Sequence, residues 1–320
     1  MEARSQTALH EGWLTGCRSI APEDSQPTAF NRLSRCFLLT DGQANVGLAD
    51  PEQIAAQAAD VRRKTGICTN TFGIGDDYHE ALLAPMAVAG GGKFYHLQNG
   101  EEMAHAFSGE LSEMFDVTAR AVRVEIEADP SVTPELISLF WATSGGKPGK
   151  LRVDMGDLVS GDLRHVVVRL VFGRVPAGGL VKVRVRVAWR DGDQDREGAW
   201  QELTFQGASD ADCSAEARDL EVMHWVGSQH AEKAKTDALK LHSNGQDEDA
   251  IRLLDKVMRR LAEYASGDSV LVKALEELRA LKEQLLQGSM TQGLAKEMRF
   301  SSQLSSRGQR DHRGRKPGRT

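Results

Sequence analysis

Aromatic side chains are scarce in this sequence, at 6% of 320 residues with only three tyrosines, and none interleaves with a basic run. Without such interleaving there is no stacking platform for bases, so nucleic acid is not expected as a partner. Cysteine occurs only at 17, 36, 68 and 213, and no C-x-x-C pair is present. That spacing argues against zinc ligation and against a redox dithiol; the thiols are expected to be reduced and mostly buried, in a cytoplasmic protein. Long apolar runs are missing as well. The longest uncharged stretch, Ala81 to Gly92, is interrupted by Pro85 and three glycines, and it falls short of the ~18–20 residues that cross a bilayer, so no membrane partner is expected. The opening Met1-Glu2-Ala3-Arg4-Ser5-Gln6 has no apolar segment of the kind found in secretory leaders. Neither sign of charge dominates, with 40 basic and 46 acidic residues. From Arg299 onward, however, seven basic residues stand against one acid, so this end carries +6 and the remainder −12.

Catalytic signatures are also lacking. His10, His79, His96 and His105 show neither H-x-x-x-H nor H-E-x-x-H spacing, and no G-x-S-x-G presents a serine nucleophile. Gly73-x-Gly75 is followed by Asp76-Asp77, and two carboxylates at a helix start would repel phosphate rather than cradle it. The sequence is therefore read as non-enzymatic.

What is present is 40% hydrophobic residue content over a length that favours two or three domains. The first third alternates strand and helix signals. Cys36-Phe37-Leu38-Leu39 is a short continuous apolar run, as in strands buried on both faces, and Ile67 to Ile74 reads as the next strand. Asp50-Pro51-Glu52-Gln53 reads as a helix N-cap with proline at the first position, and that helix stops at Gly66. Further helices are expected over Tyr78 to Val88 and Glu101 to Asp116, the latter with a stripe of Met103, Phe107, Leu111 and Met114 to Phe115. Gly90-Gly91-Gly92 reads as a turn before a strand from Lys93 to Leu97. Near residues 117–120 the period changes from 3.6 to 2. Val122, Val124 and Ile126, then Val181 to Trp189, alternate with charged residues, which predicts an all-β, sandwich-like domain over 119–207. The basic row Lys182, Arg184 and Arg186 is expected to pair with carboxylates such as Glu125 and Glu127. Helical periodicity fills 208–287, broken at Asn244-Gly245 and Ser266-Gly267 into three helices. The polar, basic stretch 288–320 is expected to be a disordered tail.

One group of motifs is more specific. Phe37-Leu38-Leu39-Thr40-Asp41-Gly42 is followed in order by Thr71-Phe72-Gly73-Ile74-Gly75, Gly90-Gly91-Gly92-Lys93-Phe94-Tyr95 and a helix ending Glu113-Met114-Phe115, and preceded by Thr7-Ala8-Leu9-His10-Glu11-Gly12. In this order the motifs resemble the von Willebrand factor type A (vWA) domain in its bacterial intracellular form, over residues 1–118. The resemblance implies a Rossmann-like α/β unit with a parallel sheet, a partial one, because no Asp-x-Ser-x-Ser loop precedes Thr7. It also implies a metal-ion-dependent adhesion site in which Thr7 and Asp41 match two of the family's Mg²⁺ ligands, and a protein partner that offers a carboxylate to the metal. Since Mg²⁺ prefers six hard oxygens, two protein ligands imply weak binding. An incomplete sheet would leave the Cys36 to Thr40 strand with an apolar edge open to self-association. The expectation is a protein-interaction or scaffold module. The alternatives are a Mg²⁺-dependent enzyme of phosphate chemistry using Asp41 and an adaptor acting through the helical region.

Overall fold

The computed structural model describes residues 8–20, 33–42, 46–192 and 194–311. The first unit opens with helix α1 (Leu9–Ile20), whose Leu9, Trp13 and Cys17 form the buried stripe. Strand β1 (Arg35–Thr40), helix α2 (Pro51–Thr65), strand β2 (Cys68–Ile74), helix α3 (Glu80–Ala89), strand β3 (Gly91–Leu97) and helix α4 (Gly100–Phe115) follow. The three strands are parallel in the order β1-β2-β3. β2 lies in the middle and is buried along nearly its whole length, Thr69, Asn70 and Thr71 included. Helix α2 forms where its caps require it: the Asp50 side chain accepts from the Gln53 amide at 2.8 Å, and Gly66 ends it in the left-handed conformation.

Two local expectations are corrected. The triple glycine is not a turn, because Gly91 and Gly92 open β3. A Cβ on Gly92 would stand 2.2 Å from the Thr69 carbonyl oxygen and from Asn70 Oδ1, so only glycine lets β3 approach β2 here. In α4 the buried face is Ala106 and Glu110, while Leu111 and Phe115 are exposed. The helix turns toward Glu110 because that carboxylate meets Arg35, Lys93 and the Tyr95 hydroxyl beneath it.

The second unit contains β4 (Val117–Ala128), β5 (Val132–Leu136), β6 (Trp141–Thr143), β7 (Lys150–Val159), β8 (Val168–Phe172), β9 (Leu180–Asp191), β10 (Gln194–Glu197) and β11 (Gln201–Gln206). An antiparallel sheet runs β10-β9-β4-β7-β6, with β11 also on β9, and β5 pairs with β8 in a separate two-stranded sheet. Val122, Ile126, Phe140, Val153 and Val183 fill the core between them. Lys182, Arg184 and Arg186 pair with Glu202, Glu127 and Glu125. Trp200 packs against the Arg184 and Arg186 guanidinium groups at 4.5 and 4.6 Å, an aromatic contact that chain distance concealed.

The last unit is helical: α5 (Asp210–Ala215), α6 (Leu220–Ser243), α7 (Asp247–Ala262), α8 (Ser269–Leu286) and α9 (Gln292–Arg307). Leu254, Leu261, Leu271, Leu278 and Leu281 are buried at the helical spacing of the sequence. Where a disordered tail was expected from 288, the chain instead forms α9, capped by the Thr291 hydroxyl and by Gly308 in the left-handed conformation. Phe300 and Leu304 enter the core of the first unit. Its charges are satisfied at long range, which composition does not reveal. Lys296 Nζ donates to the Tyr78 carbonyl at 3.0 Å, Arg299 pairs with Glu80 at 2.6 Å, and Arg307 donates to the Gly92 carbonyl at 3.1 Å. Among the described residues, no helix is long and apolar enough to cross a membrane.

Candidate functional site

Ligands of open α/β sheets bind outside the carboxyl ends of the strands. Here those ends carry Asp41 after β1, Asp76 and Asp77 after β2, and Gln98 after β3. Thr40 is buried and ties the turn: its hydroxyl donates to the Gly42 carbonyl at 3.0 Å and accepts from the Gly42 amide at 3.3 Å. The turn thus fixes the backbone on both sides of Asp41, whose side chain is exposed. Thr7, the other residue matched to the metal loop, lies outside the described residues. Among the described residues, no group of three or more His, Cys, Asp or Glu side chains gathers as a metal site. A single carboxylate does not supply the roughly six-oxygen shell that Mg²⁺ requires, so the described residues do not by themselves fit the metal. Of the four first-unit histidines, His96 is tied into the interior. Its Nδ1 meets the Tyr78 hydroxyl at 2.7 Å, and burial lowers its pKa.

The opposite, amino ends of the strands hold the strongest electrostatics. Burial alone would raise the Glu110 pKa, yet Lys93 and Arg35 hold it below the usual carboxylate range. Lys93 also reaches Glu113 at 2.6 Å. Nearby, Arg62 from the end of α2 pairs with Asp157 of β7, and both side chains are almost fully buried. Asp157 is likewise held low against its own burial, chiefly by Arg62, then by the Ala121 amide at 3.0 Å. Its other oxygen accepts from the Cys68 thiol at 3.4 Å, and burial pushes that thiol up to about 12.

Beside this pair, between the first and second units, lies a cavity of about 480 Å³ lined by six arginines, four aspartates and Trp141. Its floor is shaped by an irregularity in β4. Four residues, Arg120 to Arg123, run opposite three on β9, Arg190 to Ala188. An extra residue of this kind is a β-bulge; it breaks the alternation of faces, so Arg120 and Arg123 both reach the cavity. At the bulge Ala121 has φ +46°, the one positive value among the described non-glycine residues. Opposite it, Gly156 has φ +78°, and a Cβ there would stand 2.8 Å from the Gly91 carbonyl oxygen. None of the cavity's residues figured among the sequence candidates. The one signal that could have suggested them was the failure of strict alternation across Arg120-Ala121-Val122-Arg123.

No family model matches the sequence. The chain is similar to two curated proteins, both uncharacterized: YfbK of Escherichia coli, 28% identical over 145 residues, and sll0103 of Synechocystis, 24% identical over 203 residues. These alignments take in 42% and 60% of this chain but only 24% and 46% of the relatives, so the chain spans under half of either. Among solved structures it resembles a von Willebrand factor type A protein from Catenulispora acidiphila, with a TM-score of 0.64 at 17% identity, covering 94% of this chain and 71% of that one. The likeness therefore extends past residue 118 into the β-rich and helical units.

Proposed function

We propose that this chain, whose fold is that of the von Willebrand factor type A domain, is a non-enzymatic protein-interaction module that contacts its partner at the carboxyl edge of the parallel sheet. The observation that carries this reading is Asp41: an exposed carboxylate on a turn fixed by the buried Thr40, at the end of a strand where open α/β sheets receive ligands. Asp41 makes no ion pair among the described residues, so its charge is available to another molecule. The partner in this reading is a protein. Mg²⁺ binds at most weakly, and no step of the reading runs through it.

Position 42 suits a photo-crosslinking side chain, since a Cβ there meets nothing within 4 Å. The test places the crosslinker at 42 and, as a control, at the exposed Arg259 on α7, and identifies captured proteins in the native cell by mass spectrometry. Capture of one protein from position 42, absent from 259 and abolished by Asp41→Ala, is expected. Equal capture from both positions, or indifference to Asp41→Ala, refutes the reading. In parallel, Mg²⁺ titration by calorimetry should show no tight binding; tight, Asp41-dependent heat would overturn the weak-metal part.

A further inference from the structure

Chain spacing offers no dithiol, but the fold assembles one. Helix α1 packs on β1, and its buried stripe of Leu9, Trp13 and Cys17 faces the core of the first unit. The Trp13 indole donates to the Thr69 hydroxyl at 3.1 Å, which sets the helix against the sheet. Cys36 projects from β1 into the same core. Its Sγ ends 3.5 Å from where a Cβ on Gly16 would stand, so the Cys36 side chain reaches the backbone of α1 one residue before Cys17. The two thiols hydrogen-bond to each other, although the chain places them at positions 17 and 36.

The pair is asymmetric. The hydrogen bond from Cys17 holds the Cys36 thiol below its usual range against its own burial, while the same contact, then burial, pushes Cys17 up. Cys36 is therefore the member that ionises, and the thiolate is the nucleophile in thiol chemistry. Cys17 keeps its proton and stands where a resolving thiol must stand. The other two cysteines are placed differently. Cys68 donates its thiol to Asp157 at 3.4 Å and is pushed up to about 12 by burial, and Cys213 is exposed on α5. Cys17 and Cys36 expose only 5% and 7% of their surface. That closure excludes a bulky aromatic reagent but admits a peroxide, which is little larger than water.

We propose that Cys17 and Cys36 are a modification site, at which a peroxide oxidises the pair to an intrachain disulfide that staples α1 to β1 and a low-molecular-weight thiol reverses it. In the first step the Cys36 thiolate attacks one peroxide oxygen, the O–O bond breaks, and a Cys36 sulfenic acid and hydroxide form. In the second the Cys17 sulfur attacks the sulfenic sulfur, the S–O bond breaks, and the leaving hydroxide takes the Cys17 proton as water. Two thiols and one hydrogen peroxide thus give one disulfide and two waters, the sulfurs being oxidised and the peroxide reduced. The staple closes the stretch from 17 to 36 and so restricts the unfolded chain. It fixes α1 to the strand whose carboxyl end carries Asp41, and it is independent of the partner read there.

The test uses the full chain carrying Cys213→Ser, which removes the exposed thiol and with it disulfides between chains. The folded protein is treated with hydrogen peroxide and quenched, its remaining thiols are alkylated in denaturant, and mass spectrometry of its peptides locates any link. Loss of two alkylatable thiols, a link between Cys17 and Cys36, and a free Cys68 are expected. Oxidation should raise Tm by about 5 °C or more, and dithiothreitol should restore the original value. Cys17→Ala should stop at a Cys36 sulfenic acid that dimedone captures, and Cys36→Ala should leave Cys17 reduced. The link itself is read with both thiols present, so no variant of the pair has to fold for the outcome to count. A protein that stays folded in peroxide with Cys17, Cys36 and Cys68 all alkylatable, a link through Cys68, or a Tm unchanged or lowered by the link between Cys17 and Cys36 would each overturn the proposal.

Discussion

Replacing Asp157 by asparagine keeps the shape of the side chain and one acceptor oxygen but removes the charge facing Arg62. In the folded chain Arg62 and Asp157 expose 13% and 5% of their side chains, so the guanidinium left behind has little water to turn to. Breaking a buried pair by removing one partner costs about 3–5 kcal/mol. In a chain this size about 1 kcal/mol shifts Tm by roughly 2–4 °C, so a fall of about 6–12 °C is expected at the low end of that cost. The pH dependence follows from the direction of the Asp157 shift. Burial works against the charged form, but Arg62, the Ala121 amide, Arg35 and the Cys68 thiol hold the folded pKa below the ordinary value. The stabilisation is thus fully present above the unfolded pKa of about 3.9 and is lost as pH falls through the folded value. Thermal denaturation of parent and Asp157→Asn from pH 7 down to pH 3 should show the gap between them shrinking below about pH 4. The double variant Arg62→Met/Asp157→Asn should be more stable than Asp157→Asn alone, since it removes the stranded charge. A Tm loss under about 2 °C at pH 7, or a double variant no better than the single, would show that water or another group reaches Arg62 and that the pair is not buried as described.

Cys17, Cys36 and Cys68 are buried and Cys213 is exposed. One thiol should therefore react with an aromatic disulfide reagent within seconds in the native protein, and all four in denaturant; fast reaction of two or more natively would contradict the packing around α1 and β1. Limited proteolysis should cut first within 208–221, where every residue is exposed and α5 is a single short helix. First cleavage within α9 would mean that Phe300 and Leu304 are not seated in the first core.

The parts of the fold legible in the sequence are those whose cause is local. α2 shows itself because Asp50, Pro51 and Gly66 are its own caps, and α7 and α8 because their leucines recur every three or four residues. β2 is legible because burial on both faces leaves no polar alternation to confuse it. The misread parts depend on distant partners. The buried face of α4 is set by Glu110, whose partner Arg35 lies 75 residues away. The helix α9 reads as a polar tail until Lys296 and Arg299 find Tyr78 and Glu80, 218 and 219 residues earlier. Asp41 could be read because a strand followed by Asp-Gly announces its own turn. The arginine cavity could not, since Arg120 and Arg190 meet only through the β4–β9 register, and an alanine at Ala121 gives no sign of the conformation a glycine would have suggested.

These misread features share a location. Each of the three cores is closed mainly by apolar side chains from its own stretch of chain, with Phe300 and Leu304 of α9 and the partly buried Trp141 of β6 added to the first. The seams between units are largely polar: Arg62 with Asp157 joins the first unit to the second, while Arg299 with Glu80 and Lys296 with the Tyr78 carbonyl join it to the third. Interfaces between domains of one chain are more polar than their interiors, and charged contacts are more directional than apolar ones, so such seams fix orientation where cores fix only existence.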